Sequence, residues 1–324
     1  MNLFQFALLF VCIFSLHSCR VHKIKSAEKG IISRTLQKVK PGDTILLSPG
    51  IYEDSFVITK PNITITGGTS TNLQVHIFSR VEPTIMIASE NVVLDHLLIS
   101  QLGGGTVFTV YIVGSGAEIN TCDLSSNGIA CVGIRNTSKV RLHSNRIHDC
   151  GQAGIKIFEQ TGNDILIEGN EITKSKHGLV VREKGKATIR QNLIVRNTES
   201  GIFVHTFSSA VIDGNVIIEN VKNGVVVSAN SKCKIKKNVI SNNTNIGIYV
   251  YDNGHVKIKN NTIETSIQDA ISISKNSFCH LGKNQIKGVV TNYSNWGNRL
   301  KIPIIVTLIV LCISFFWVFY FFIN

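Results

Sequence analysis

Three consecutive units of 23 residues decide the fold: NLIVRNTESGIFVHTFSSAVIDG (192–214), NVIIENVKNGVVVSANSKCKIKK (215–237) and NVISNNTNIGIYVYDNGHVKIKN (238–260). Each unit starts with Asn-x-Ile. The same start occurs seven times, at steps of 22 to 25 residues: Asn145, Asn170, Asn192, Asn215, Asn238, Asn261 and Asn284. Repetition at a fixed period indicates a repeat architecture.

Each unit contains three short stretches in which apolar residues alternate with polar ones. In the first quoted unit these are Asn192-x-Ile194, Gly201-Ile202-x-Val204 and Ala210-x-Ile212. A period of two predicts strands, and the polar turns between them leave no room for a helix. Because such short strands are unstable alone, we expect each to pair with its equivalent in the next coil.

This pattern resembles the right-handed parallel β-helix of the pectate-lyase-like superfamily. The segments VKPGDTILLSPGIY (39–52), VITKP (57–61) and ITITG (63–67) are similar to the opening of periplasmic β-helix proteins of the nitrous-oxide-reductase maturation type. The resemblance covers about residues 30–290. It implies an all-β solenoid of about ten coils over 41–298, after an N-terminal cap at 20–40 in which residues 31–39 form a helix. This fold hosts many functions, so the resemblance does not choose one.

The composition excludes several classes of protein. The chain has 324 residues, of which 44% are hydrophobic and 17% charged, so it is neither disordered nor collagen-like. Its net charge of +12 favours anionic partners. Three of the eight cysteines lie in or beside the terminal apolar segments. The other five are too few and too scattered for a disulfide scaffold.

Both ends carry apolar segments. Residues 1–19 are typical of a secretory signal, and Leu16-His17-Ser18-Cys19 is similar to a lipobox, so either an ordinary signal or lipidation at Cys19 is open. Residues 301–323 contain an uncharged run of membrane-spanning length, which predicts a transmembrane helix or a GPI-type anchor signal. We therefore expect an exported protein anchored in the cell envelope, in the periplasm or at the cell surface.

The alternation also separates inward from outward residues. Ile147, Ile172, Ile194, Ile217, Ile240, Ile263 and Ile286 are expected to form one inward stack. Cys233 and Cys279 align with Ala187, Ala210 and Val256 as small buried residues. The stacked asparagines, including the shorter series Asn197, Asn220 and Asn243, are interpreted as structural ladders.

Three outward features are candidates for binding. A basic stripe lies on the third strand of each unit: Arg141, His143, Arg190, Lys234, Lys236, Lys257 and Lys259. An aromatic and basic group lies on the strand that follows the glycine: Lys156, Phe158, Arg182, Phe203, His205, Tyr249 and Tyr251. An apolar patch lies on the strand that follows the asparagine: Leu193, Val195, Val216, Ile218 and Val239. Cations suit a polyanion, rings suit sugars, and a bare apolar patch suits a protein partner, a long loop or the membrane.

Catalytic chemistry is weakly indicated. Enzymes of the superfamily use converging acids, often with Ca²⁺, beside a proton-transfer residue, whereas Glu168, Glu171, Asp213 and Glu264 are isolated along this sequence. The best group is Arg146, His148, Asp149, Glu171, Lys174 and His177, in which Arg146 and Glu171 should be neighbours. The histidines have no spacing typical of a metal site, so no metal or other cofactor is expected, with Ca²⁺ only if the protein is a lyase.

The sequence thus predicts a membrane-anchored β-helix that binds an acidic or sugar-containing polymer on its outer face. Two alternatives stay open. One is a polysaccharide lyase or hydrolase. The other is a maturation or assembly factor that binds a protein through the apolar patch. Nucleic acid is not expected as a partner, because it conflicts with export.

Overall fold

The structure is a computed structural model that describes residues 19–68, 74–81, 83–162, 164–265 and 268–293. In these ranges the chain forms one helix and 34 short strands, all paired in parallel. The strands stack into three sheets of 12, 11 and 11 strands, so each coil supplies one strand to each sheet. The three-stranded parallel coil is confirmed, and the solenoid has about eleven coils rather than ten.

Sheet A contains the third strand of each unit. Its strands are β1 (Val21–Ile24), β2 (Thr44–Leu47), β5 (Thr64–Thr66), β8 (Val93–Asp95), β11 (Glu118–Asn120), β14 (Arg141–His143), β17 (Leu166–Glu168), β20 (Lys186–Arg190), β23 (Ser209–Asp213), β26 (Lys232–Lys236), β29 (His255–Lys259) and β32 (Phe278–Leu281).

Sheet B contains the strand that follows the ladder asparagine. Its strands are β3 (Gly50–Glu53), β6 (Val75–Ser79), β9 (Leu98–Gln101), β12 (Asp123–Ser126), β15 (Arg146–Cys150), β18 (Glu171–Thr173), β21 (Leu193–Val195), β24 (Val216–Ile218), β27 (Val239–Ser241), β30 (Thr262–Glu264) and β33 (Gln285–Lys287).

Sheet C contains the strand that follows the glycine. Its strands are β4 (Phe56–Ile58), β7 (Ile85–Ile87), β10 (Phe108–Ile112), β13 (Ala130–Arg135), β16 (Ala153–Phe158), β19 (His177–Val181), β22 (Ile202–Val204), β25 (Val225–Val227), β28 (Ile248–Val250), β31 (Ile271–Ile273) and β34 (Val290–Asn292).

The core is a column of inward side chains enclosed by the three sheets. The predicted isoleucine stack is confirmed: six members are fully buried, and Ile286, near the end of the described coils, packs against them half-buried. Full burial of one such side chain stabilises the fold by about 1.5–3 kcal/mol. Cys233 lies in register between Ala210 and Val256, as expected, and Cys279 follows Val256.

The asparagine ladder is structural, as expected. The Nδ2 of Asn192 donates to the Oδ1 of Asn215 at 2.9 Å and to the carbonyl of Ile167 at 2.9 Å. The same Oδ1 also accepts the backbone N–H of Asn192 at 3.0 Å. Each buried amide therefore satisfies the turn of one coil and joins it to the next.

The helix predicted for 31–39 is present as α1 (Ile31–Lys38). Its buried residues, Ile32 and Leu36, join the main core at the N-terminal end of the solenoid. The helix therefore covers the apolar interior where the coils begin.

A disulfide joins Cys131 in β13 to Cys150 at the end of β15, with the two Cα atoms 5.6 Å apart. Both residues are buried. The sequence predicts no disulfide scaffold, because its five remaining cysteines are few and scattered, and it does not predict this single pair, whose members are 19 residues apart. They meet because Cys131 lies near the start of β13 in sheet C, whereas Cys150 lies at the end of β15, the sheet B strand of the next coil.

No helix within the described ranges is both long enough and apolar enough to cross a membrane. Residues 1–18 of the predicted signal and the whole predicted anchor at 301–323 lie outside those ranges. Cys19 is described and is exposed.

Candidate functional site

The aromatic and basic group is brought together on the outer face of sheet C. Lys156, Val180, Phe203, Val226 and Tyr249 are successive register neighbours, so they form one row across five coils. Phe158, Arg182, His205 and Tyr251 occupy the position two residues later in their coils. The seven predicted residues therefore lie in two adjacent rows. Val180 and Val226 interrupt the first row, and Ser228 interrupts the second.

Glycines at the start of these strands allow the coils to approach closely. A Cβ atom on Gly201 would lie 2.6 Å from Cγ2 of Ile217 and 2.8 Å from the carbonyl oxygen of Gly224. Any larger residue would push β22 outward, and with it the Phe203 ring. The repeated glycine of the sequence thus positions this face.

We call Lys156, Arg182, Phe203 and His205 the cationic-aromatic cluster. The rings of Phe203 and His205 stack with centroids 4.4 Å apart, and the Nδ1 of His205 is 2.8 Å from the hydroxyl of Thr206. Arg182 pairs with Glu183, yet its Nε atom is buried and has no hydrogen-bond partner among the described residues. A buried donor without an acceptor destabilises the folded state, so the neighbours of the Arg182 guanidinium in the described chain satisfy it incompletely.

Electrostatics within the cluster disfavour positive charge. Burial, together with the smaller effect of the neighbouring Arg182, lowers the pKa of His205 to about 4. Burial and Arg182 likewise lower the pKa of Lys156. His205 is therefore neutral near pH 7, and the two remaining cations repel each other across a partly desolvated surface.

The basic stripe on sheet A is less continuous than expected. Three of its members are paired with acids: His143 with Glu118 at 2.8 Å, Arg190 with Glu168 at 2.7 Å and Lys236 with Asp213 at 2.8 Å. Arg141, Lys234, Lys257 and Lys259 form no ion pair within the described chain. The structure adds Lys186 and Lys232, which the sequence analysis did not select, on the same strands as stripe residues.

The predicted catalytic group is divided by the fold. Arg146 and Glu171 are register neighbours as expected, but Arg146 pairs with Asp123 at 3.1 Å. Lys174 is exposed in the turn after β18. His177 begins a strand of sheet C, where its ring lies 5.5 Å from that of Phe203, so it belongs with the cationic-aromatic cluster.

His148 lies between two carboxylates. Its Nε2 is 2.7 Å from Asp123 and its Nδ1 is 2.6 Å from Asp149. The hydrogen bond to Asp123 raises the pKa of His148. Because both ring nitrogens are engaged, this histidine serves an ion-pair network and has no free lone pair for a metal or a substrate proton.

Asp123, the acid that pairs with Arg146 and His148, was not among the residues selected from the sequence. This residue lies one coil before Arg146, in a part of the chain where the repeat is irregular. The signal that could have found it is the alignment of Cys122-Asp123-Leu124 with Asn145-Arg146-Ile147.

The apolar patch is present on the outer face of sheet B. Leu193, Val216 and Val239 are register neighbours that are 37%, 37% and 41% exposed. Val195 and Ile218 lie beside them and are half-buried. The described residues include nothing that covers the patch.

Comparison with known proteins supports the fold. A model described as "Right handed beta helix region" matches residues 158–302, and one described as "Periplasmic copper-binding protein (NosD)" matches residues 39–208. A search of curated proteins finds no match.

Three similar solved structures illustrate the range of proteins with this fold. The A-module of the Azotobacter vinelandii mannuronan C-5 epimerase AlgE6 has 14% identity and a TM-score of 0.59, covering 78% of this chain and 88% of that one. Pectate lyase Pel9A has 14% identity and a TM-score of 0.50, covering 86% and 80%. The Dettilon tailspike protein has 15% identity and a TM-score of 0.58, covering 85% and 61%.

At these identities the three structures show the fold and nothing finer. The NosD model, by contrast, spans more than half of the chain and includes the opening segment on which the sequence resemblance rested. The chain therefore belongs to the NosD family of β-helix proteins, which is described as periplasmic.

Proposed function

We propose that the protein is an exported, membrane-tethered β-helix that binds an acidic polysaccharide across the outer face of sheet C. The observation that carries this proposal is the buried Nε of Arg182, which has no acceptor among the described residues and lies in a cluster with Lys156.

A carboxylate is the ligand that best suits this arrangement. It would accept a hydrogen bond from Arg182 and offset the repulsion between Arg182 and Lys156. The cation and the carboxylate would meet on a partly desolvated surface, where such a bond contributes more than it does in water.

The rings favour a sugar over other anions. Phe203 and His205 present a stacked pair, and Tyr249 and Tyr251 form a second pair two coils later, with centroids 4.8 Å apart. Flat rings at coil spacing suit the apolar faces of successive sugar units. Two of the similar structures are named for action on mannuronan and pectate, which supports an acidic polysaccharide as the ligand class.

Export is supported by the family and by the disulfide. The family description is periplasmic, and disulfides persist in oxidising compartments such as the periplasm. The apolar run within 301–323 supports a membrane tether, and an anchored binding protein would hold a polymer close to the membrane surface.

The family description also names copper, and the residues present do not fit a copper site. Across the described ranges, no three His, Cys, Asp or Glu side chains are grouped to hold a metal. The free thiols Cys122 and Cys233 are buried, and burial raises the pKa of each to about 12. We derive no role for copper in this chain.

One observation favours a second candidate function, a polysaccharide lyase. A neutral His205 beside a carboxylate held by Arg182 could accept the proton from the carbon next to that carboxylate. The bond between the adjacent ring carbon and the leaving sugar oxygen would then break, a double bond would form between those two carbons, and the proton taken up by His205 would pass to the leaving oxygen. On this alternative the cluster both binds the polymer and shortens it.

The test uses the full chain in a nonionic detergent, migrating through native gels that contain polygalacturonate, alginate or neutral dextran. We expect retardation by an acidic polymer and not by dextran. Arg182→Gln should weaken binding by about 10- to 100-fold, the equivalent of one lost charge-assisted hydrogen bond. Arg196→Gln is the matched control, because Arg196 is an exposed arginine paired with Glu219 away from the cluster.

Three outcomes separate the alternatives. Equal retardation of both arginine variants would contradict the sheet C site, and no retardation by any acidic polymer would contradict polymer binding. Shortening of the polymer, lost in His205→Gln while retardation is kept, would establish the lyase.

A further inference from the structure

A groove crosses the outer face of sheet A, on a different face of the solenoid from the cationic-aromatic cluster. It has a volume of about 480 Å³ and extends over five successive strands, β20, β23, β26, β29 and β32. At about 4.8 Å per strand, its length is roughly 19 Å. A groove of this size suits one extended ligand that lies along the axis of the solenoid.

Two rows of outward side chains form the walls of this groove. The first row is Lys186, Ser209, Lys232, His255 and Phe278, and the second is Thr188, Val211, Lys234 and Lys257. All but Val211 and Phe278 are charged or polar, and we call the site the lysine-lined groove. The floor between the rows consists of small residues such as Ala187, Ala210 and Cys233, which give the groove its depth.

The groove carries positive charge that the protein does not balance. None of its four lysines forms an ion pair within the described chain. Of the five strands, only β23 contains an acid, Asp213, and this acid pairs with Lys236 outside the groove at 2.8 Å. Lys234 and Lys257 are direct register neighbours, an arrangement that is unfavourable for like charges until an anion lies between them.

The hydrogen-bonding groups of the walls are mainly donors. The lysine ammonium groups donate and cannot accept, and the hydroxyls of Thr188 and Ser209 can donate to a bound anion. A neutral sugar would leave most of its own hydroxyl donors without acceptors here. The groove therefore suits a ligand that offers acceptor oxygens and negative charge along its length.

Phosphate fits this set of donors better than carboxylate does. A phosphate group carries up to two charges and three strong acceptor oxygens, so Lys232, Lys234 and Lys257 can share one. A carboxylate carries a single charge and is best matched by the planar fork of an arginine, whereas lysine binds phosphate as a point charge. No arginine is among the described residues that line the groove.

We propose that the lysine-lined groove binds an extended chain of linked phosphate groups, the chemistry of linear polyphosphate. One phosphate lies among Lys232, Lys234 and Lys257, and another lies at the opposite end beside Lys186 and Thr188. These two positions are two to three strand spacings apart, which is about 10–14 Å. The site is independent of the polymer site, because sheets A and C are different faces of the solenoid.

The experiment measures the acetylation rate of individual lysines by mass spectrometry, with the full chain in a nonionic detergent and a buffer free of phosphate. Linear polyphosphate should slow the acetylation of the four groove lysines about tenfold or more. Orthophosphate at the same phosphorus concentration should slow it much less, because it does not reach both ends of the groove. Exposed lysines elsewhere are the internal control and should keep their rates: Lys25, Lys40 and Lys174.

A second arm changes the wall of the groove. Val211 is the register neighbour of Lys234, so Val211→Glu places a carboxylate between the two phosphate positions. It should weaken the binding of fluorescently labelled polyphosphate about tenfold or more, whereas its uncharged control, Val211→Gln, should change the affinity little. Circular dichroism checks that both variants fold. Arg182→Gln should leave this affinity unchanged, which distinguishes a failure of this proposal from a failure of the sheet C site.

Four results would overturn the proposal. The first is equal slowing at the groove lysines and at the control lysines, and the second is equal affinity of the two Val211 variants. The third is equal slowing by polygalacturonate at the same charge concentration, because the groove would then respond to charge alone. The fourth is slowing in nanodiscs that contain phosphatidylglycerol and no polyphosphate, which would assign the groove to lipid headgroups.

Discussion

Asp54 and Lys60 hold the two ends of helix α1 from either side of strand β4. The Oδ2 of Asp54 accepts the backbone N–H groups of Ile32 and Ser33 at 2.9 and 3.1 Å. The Nζ of Lys60 donates to the carbonyls of Leu36, Gln37 and Val39 at 2.9, 2.7 and 2.7 Å. Helix α1 has no local side-chain cap, so one coil of the solenoid supplies a charge of the right sign at each end.

The first prediction concerns Asp54 and Lys60, which together we call the clamp on α1. Asp54→Ala and Lys60→Met should each lower the free energy of unfolding by about 1–3 kcal/mol, because they leave helix-end groups without partners. Amide hydrogen exchange should locate the loss at α1 and the first coils. Lys40→Met is the control, since Lys40 is exposed and its side chain forms no ion pair among the described residues. If Lys60→Met were no more destabilising than this control, the hydrogen bonds from Lys60 would contribute nothing to the free energy of unfolding.

The second prediction concerns the asparagine ladder. Asn215→Ala removes the acceptor of Asn192 and leaves the carbonyl of Ile189 without its donor, all in a fully buried site. We expect the free energy of unfolding to fall by about 3 kcal/mol or more. Asn284→Ala, at the half-buried end of the same ladder, should cost less because water can replace the lost amide. Denaturant unfolding of the two variants measures the difference, and equal losses would contradict the ladder's buried role.

The third prediction concerns the disulfide. It closes a loop of 19 residues, and the chain-entropy model gives about 3 kcal/mol for such a loop. Cys131→Ala/Cys150→Ala should therefore unfold at lower temperature than Cys233→Ala, which removes one buried free thiol. Alkylation of the denatured wild-type chain under non-reducing conditions should leave Cys131 and Cys150 unmodified. Their modification would show that the pair is reduced.

The fourth prediction concerns pH. Burial lowers the folded-state pKa of His205 from 6.5 to about 4, so its contribution to stability is complete above pH 6.5 and is lost as the pH falls towards 4. Burial opposes ionisation of Asp43, but hydrogen bonds from the backbone of Lys40 and Arg20 and from His22 lower its pKa from 3.8 to about 2. The stability that Asp43 contributes is therefore complete above pH 3.8 and is lost as the pH falls from 3.8 towards 2.

Thermal unfolding between pH 7 and pH 2 should show both regions. His205→Gln should reduce the pH dependence of the unfolding temperature between pH 6.5 and 4. Asp43→Asn should reduce it only below pH 3.8. His177, whose pKa is also lowered by burial, keeps part of the upper slope in the first variant. An unchanged slope in His205→Gln would mean that the imidazole is not desolvated.

The fifth prediction concerns the apolar patch. Val216→Asp/Ile218→Asp should lower the free energy of unfolding by about 1–3 kcal/mol without unfolding the coil, because both side chains face outward but are partly buried. If the protein is a maturation factor that binds a protein through this patch, the variant should lose capture of that partner from a periplasmic extract and keep its binding to acidic polymer. Retained capture would contradict that alternative.

The solenoid could be predicted from the sequence because each coil repeats one local pattern. The inward isoleucines, the glycine that precedes sheet C and the asparagine of the turn recur every 22 to 25 residues, and the pairing of equivalent strands is the arrangement that satisfies all three at once. The rows on each face follow from the same period. For this reason the seven residues of the aromatic and basic group were identified before their contacts were known.

The partners of outward side chains could not be predicted in this way. Arg146 faces Glu171 in one neighbouring coil and Asp123 in the other, and only the side-chain geometry shows that it pairs with Asp123. The division of the basic stripe has the same cause. Arg141 is in register with Glu118 but forms no ion pair within the described chain, and Glu118 pairs with His143 instead.

The sequence by itself determined the coil, the core and the face on which each residue lies, because these depend on periodicity along the chain. The tertiary structure decided the disulfide, the clamp on α1, the unpartnered Nε of Arg182 and the lysine-lined groove. Each of these depends on distances of a few ångströms between residues that are about a coil or more apart, or on burial from solvent. A one-dimensional pattern does not specify those distances, whereas the stacking of coils does.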